Sequence, residues 1–112
     1  MKTINVLIID DHAMLRSGLK MLINSAGGLK VTGEAGTGRE AVESFKKNSP
    51  DIVVLDITLP DMSGLEVARE IKKTTPVAKI LILTMHDNAN YVREFGRIGG
   101  SGYIVKKSAD SE

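Results

Sequence analysis

The chain is predicted to fold as an α/β domain, a doubly wound five-stranded parallel sheet in the order 2-1-3-4-5. Three observations predict it. Short apolar runs recur at 4–9, 31–35, 51–56, 79–84 and 102–105. The first, third and fourth are nearly continuous Val, Ile and Leu, the mark of strands buried on both faces of a parallel sheet. Between the runs lie stretches of helical period, and β-α alternation at this interval implies right-handed crossovers with helices on both faces.

Taken in order, "INVLII" (4–9) is the first strand. In "HAMLRSGLKMLINSAG" the residues Leu15, Leu19, Leu22 and Ile23 share a face flanked by Met14, Gly18 and Met21, which predicts an amphipathic helix stopped at Gly27-Gly28. "VTGEA" (31–35) follows as the second strand. "GREAVESFKKN" gathers Ala41, Val42 and Phe45 on one side, and Thr37 with Glu40 fits a capping box at its start. Pro50 precedes the third strand, "DIVVLD" (51–56), where it cannot break a ladder. "GLEVAREIKK" groups Leu65, Ala68 and Ile71 behind a second capping-box pair, Ser63 and Glu66. "KILILT" (79–84), a helix through "YVREFGRIGG" and "GYIV" (102–105) complete the pattern. After it comes only "KKSADSE", so a fifth helix is missing or truncated. Part of one sheet face is then left for an absent segment or a partner to cover.

Composition narrows the function. The 112 residues suit one domain. A net charge of +1 gives no general field toward nucleic acid or an anionic membrane. With no cysteine, disulfides, thiolate zinc sites and thiol catalysis are excluded. The apolar start is too short for a signal peptide and ends in two acids, and no run approaches the roughly 20 apolar residues of a membrane span. A soluble cytoplasmic domain is expected, without direct nucleic-acid binding by this segment.

The polar residues that end the greasy runs carry the chemistry. Asp10 and Asp11 end the first strand, Asp56 the third, Thr84 the fourth and Lys106 the fifth. Parallel strands deliver these ends to one edge, and open α/β sheets bind ligands there, where the winding reverses. In this strand order the reversal brings Asp10, Asp11 and Asp56 face to face. Carboxylates so close repel one another, and a hard divalent cation such as Mg²⁺ removes the penalty. The alternative is that Asp10 and Asp11 simply cap the first helix. His12 is expected to start that helix and His86 to lie in a loop rimming the site. "GEAGTGRE" (33–40) resembles a phosphate-binding loop but has Arg39 and Glu40 where Lys and Ser/Thr are needed. It is better read as strand end, turn and capped helix.

With these residues in view, "LIIDDHAMLRSGL", "DIVVLDITLPDMSGLEVAREIK", "ILILTMHD" and "SGYIVKKS" resemble the receiver (CheY-like) domain of two-component response regulators, in its NarL/FixJ (LuxR-type) branch. The resemblance covers essentially the whole chain, read as one receiver domain over 1–112, and implies a flavodoxin/CheY-like fold. It implies that Asp56 accepts a phosphoryl group, that Mg²⁺ (or Mn²⁺) is held by Asp10, Asp11, Asp56 and the Thr58 backbone carbonyl, and that Thr84 and Lys106 contact the phosphoryl oxygens. Tyr103 would be the aromatic switch. Implied partners are a sensor histidine kinase, a C-terminal helix-turn-helix output domain in the full-length protein, and a second copy on activation.

The chain departs from that pattern at Gly96, Gly100 and Lys107. The two glycines predict a short or mobile fourth helix, since each costs about 1 kcal/mol against alanine in a helix. Lys107 stands where many receivers have proline after a cis bond. Two other readings stay open: a phosphatase of the haloacid-dehalogenase type, which would want an acid where Thr58 stands, and a phosphate-independent interaction module. An FMN binder is disfavoured, because no phosphate-cradling loop follows the first strand.

Overall fold

A computed structural model describes residues 2–84 and 89–105. In chain order the elements are β1 (Ile4–Ile9), α1 (Ala13–Ser25), β2 (Leu29–Ala35), α2 (Gly38–Asn48), β3 (Ile52–Asp56), α3 (Gly64–Thr74), β4 (Lys79–Thr84), α4 (Ala89–Ile98) and β5 (Gly102–Val105). The strands form one parallel sheet in the order β2-β1-β3-β4-β5. The predicted winding and every predicted element are present. The position of a fifth helix and the Lys106–Lys107 peptide lie outside the described residues. Among those described, no helix is long and apolar enough to cross a membrane.

Alternation along the strands sorts side chains onto two faces. Leu7, Ile9, Val53, Leu55, Ile80 and Ile82 meet Ala41 and Phe45 of α2, Leu65, Ala68 and Ile71 of α3, and Phe95 of α4 in one large core. Fully burying such a side chain contributes about 1.5–3 kcal/mol. The opposite face holds Val6, Ile8, Val31, Val54 and Leu83, and α1 covers it with Leu19 and Ile23. No residue of α1 is itself buried. The helical period also turns Leu15 and Leu22 toward that side, yet Leu22 stays 70% exposed, beside Met21 at 74%. Periodicity makes this helix amphipathic, but one helix alone cannot enclose its own stripe.

The helix ends follow local chemistry, with three corrections. Thr37 Oγ1 accepts the Glu40 amide at 3.1 Å, as a capping box requires, but Glu40 Oε1 returns to the Gly36 amide (3.0 Å) and not to that of Thr37. Ser63 Oγ accepts the Leu65 amide, so Ser63 is a plain N-cap and Glu66 makes no box with it. Gly100 is not in the fourth helix. The chain leaves α4 through Gly99 at φ +102°, with Gly99 N–H donating to Gly96 O and Gly100 N–H to Phe95 O, a Schellman ending. A Cβ at Gly100 would lie 2.2 Å from the Phe95 ring, so glycine there lets Phe95 close the core. At ten residues α4 is the shortest of the four helices described.

Candidate functional site

The site forms where β1 and β3 run out side by side. Ile9 pairs with Leu55, so Asp10 and Asp56 are the next residues along two adjacent strands. The Asp10 amide donates to Ala35 O, which holds the end of β1 against β2. Asp10 is fully buried and Asp56 is 2% exposed, whereas Asp11, one residue on, opens to solvent. The carboxylates of Asp10, Asp11 and Asp56 and the imidazole of His12 each supply one atom to a set lying within 4.8 Å of one another. His12 Nδ1 is 3.0 Å from Asp10 Oδ1, 3.3 Å from Asp11 Oδ1 and 3.9 Å from Asp56 Oδ2.

That donor set fits a divalent cation. Carboxylates this close, two of them out of water, repel one another. A divalent ion offsets the repulsion and draws on oxygen ligands that are already assembled. The reading of Asp10 and Asp11 as caps of the first helix does not hold. The N-cap of α1 is His12, and the first turn of α1 contains no acid.

Asp56 is held by its own loop. Its Oδ1 accepts the Thr58 amide (3.1 Å), Thr58 bridges Ser63 across the loop, and the Gly64 amide returns to Ile57 O at 2.7 Å. Only glycine permits this approach, since a Cβ on residue 64 would stand 2.4 Å from Asp56 O. The loop is also tied sideways. The Asp61 carboxylate accepts the Gly38 and Arg39 amides, at 2.7 and 3.0 Å, at the start of α2. Those amides hold the Asp61 carboxyl below the usual carboxylate range. On the other flank, Arg16 donates to Asp10 O and pairs with Glu34, which also meets Lys20 at 3.0 Å. The Lys20 bond is the largest cause that lowers the Glu34 pKa; burial opposes it, and the Arg16 bond lowers it further.

Of the predicted residues, Asp10, Asp11 and Asp56 come together, and Thr58 stands on their rim. Thr84 is buried at the end of β4, the strand next to Asp56, opposite Val105 of β5. Tyr103 opposes Ile82, and by alternation it shares a sheet face with Thr84; it is 44% exposed. Lys106, the residue after Val105, and His86 lie outside the described residues. Sequence reasoning missed the position of the His12 imidazole, the Asp61 tie and the Gly64 approach. Only the last had a local signal, a glycine opening a helix.

This edge of acids on a 2-1-3-4-5 sheet defines a class, and sequence comparison agrees with it. Residues 6–112 match the response regulator receiver domain, and the chain belongs to that family. It is similar to the response regulator UvrY of Escherichia coli K12, 37% identical over 97% of this chain and 50% of that protein. It is also similar to the chemotaxis protein CheY of Thermotoga maritima, 46% identical over 90% of this chain and 83% of that one. Among solved structures, a LuxR-family two-component response regulator from Aurantimonas sp. SI85-9A1 superposes with a TM-score of 0.90 and 37% identity, covering 99% of this chain and 79% of that chain. These relatives support the NarL/FixJ type and disfavour the phosphatase reading. The chain spans about half the length of most of the curated relatives it matches first.

Proposed function

We propose that the chain is a phospho-accepting signalling switch with Asp56 as its acceptor. The observation that carries this reading is the convergence of Asp10, Asp11 and Asp56 at the reversal point of the sheet. An Asp56 carboxylate oxygen bonds to phosphorus while the P–N bond of a kinase phosphohistidine breaks and its electron pair leaves with the imidazole. With acetyl phosphate, the P–O bond to the acetyl group breaks instead. Asp10, Asp11, Asp56 and the Thr58 carbonyl would hold Mg²⁺ or Mn²⁺, whose charge neutralises the phosphoryl oxygens. The chain's own contribution is positioning. The Thr58 amide on Oδ1, with the loop tied at Thr58, Ser63 and Gly64, keeps the Asp56 carboxylate from turning.

Phosphorylation adds charge and acceptor oxygens at the end of β3. The Thr84 hydroxyl and the Lys106 ammonium answer them, and a shift of Thr84 makes room for Tyr103 to turn inward. The surface of α4 and β5 then changes and favours a homodimer. The domain acts in the cytoplasm, a sensor histidine kinase is the donor, and a C-terminal helix-turn-helix domain of the full-length protein is the output. The relatives' greater length supports the second point. The segment 1–112 acts as the receiver domain and not as a turnover enzyme. Intact-mass spectrometry after incubation with acetyl phosphate tests the reading. One phosphoryl group is expected on the wild type with Mg²⁺, and none with chelator or in Asp56→Asn. Equal labelling of Asp56→Asn overturns it.

A further inference from the structure

His12 has no role in the switch as proposed, yet its ring stands among the acids. N-cap positions favour Ser, Thr, Asp or Asn because those side chains accept a helix amide. His12 occupies the N-cap of α1 and makes no such bond. Its own amide donates to Asp10 Oδ1 at 2.8 Å, which anchors the backbone beside the buried acid and returns the ring to the cluster. Ligands bound at right angles to one ion at about 2.1 Å stand about 3.0 Å apart, and opposed ones about 4.2 Å. Nδ1 hydrogen-bonds with Asp10 Oδ1 at 3.0 Å and stands 3.3 Å from Asp11 Oδ1 and 3.9 Å from Asp56 Oδ2; a cation bound there replaces that bond, and all three distances fall within the span of atoms sharing one ion.

Resting on the cation-dependent reading above, we propose that His12 Nδ1 is a ligand of that cation and biases the site toward borderline transition ions. An all-oxygen set suits Mg²⁺ and Mn²⁺, whereas imidazole suits later ions such as Co²⁺ and Zn²⁺. The signature is therefore differential. Removing the ring weakens Co²⁺ and Zn²⁺ and leaves Mg²⁺ and Mn²⁺ nearly untouched.

The test is calorimetric titration of the wild type, His12→Ala and His12→Ser with MgCl₂, MnCl₂, CoCl₂ and ZnCl₂. Serine preserves a good N-cap, so loss of helix start is controlled. Both variants are expected to lose about tenfold or more in affinity for Co²⁺ and Zn²⁺ and under about threefold for Mg²⁺ and Mn²⁺. The visible Co²⁺ spectrum should change with them. Equal losses for all four ions, or no loss, overturn the proposal. A gain for all four also overturns it, because the ring then occupies the cation's place. Wild-type labelling by acetyl phosphate with Mg²⁺ is measured alongside. If labelling succeeds and the titrations fail, only the role of His12 falls; if labelling fails, the switch reading falls on its own evidence.

Discussion

The two faces of the sheet are built differently. Among the described residues, seventeen buried side chains toward α2, α3 and α4 form one cluster that reaches from Ala35 on β2 to Phe95 on α4. Five of the described residues form the buried cluster toward α1, and the covering helix buries none of its own residues. What α1 lacks in burial it has in polar ties: Arg16 to Asp10 O and to Glu34, Lys20 to Glu34, and Asn24 Oδ1 accepting the Val31 amide at 2.8 Å. The acids sit where the two constructions meet. Asp56 is backed by the densely packed β3–α3 unit, and Asp10 is braced by the polar side. Apolar packing fixes Asp56, while a set of charges fixes the flank that carries Asp11 and His12.

Truncation variants should separate the faces. Ile80→Ala, fully buried on the thick face, is expected to destabilise by about 2–5 kcal/mol in urea unfolding. Leu19→Ala, half-buried on the thin face, is expected to lose about 1 kcal/mol. Equal losses would mean that α1 is packed as firmly as the others. Arg16→Ala comes next, at about 1 kcal/mol or less, and the loss should shrink in high salt. Lys20 and Arg16 hold the folded Glu34 pKa below its unfolded value, so this tie stabilises above the ordinary glutamate pKa of about 4.3 and fades as pH falls through the folded value. In Arg16→Ala that acid-dependent part of the unfolding curve should shrink, while the larger share held by Lys20 remains. The smallest effect is Leu22→Gln, expected within about 0.5 kcal/mol because the residue is already in water.

The same contrast explains how far the sequence could be read. The β1, β3 and β4 runs are apolar on both faces, so their burial needs no knowledge of neighbours, and a parallel sheet then delivers Asp10 and Asp56 to one edge. The helical period groups Leu22 with Leu19 and Ile23, but it shows which residues share a side and not what covers them. The Asp61 tie joins residues more than twenty positions apart, and only the crossover topology brings α2 to the β3–α3 loop. Ser63 bonds one residue earlier than a capping box expects, a choice of hydroxyl rotamer that spacing does not specify. The direction of the His12 ring is set by its amide bond to Asp10, a tertiary detail of the same kind.

The central claim is that Asp10, Asp11 and Asp56 hold one cation between them. Calorimetric titration with MgCl₂ of Asp10→Asn, Asp11→Asn and Asp56→Asn, with Asp51→Asn as control, tests it most directly. Asp51 accepts the Asn5 amide at the opposite end of the sheet. The account predicts a loss of about tenfold or more at each of the three and none at Asp51. Unchanged Mg²⁺ affinity in any one of the three, or an equal loss at Asp51, would contradict it.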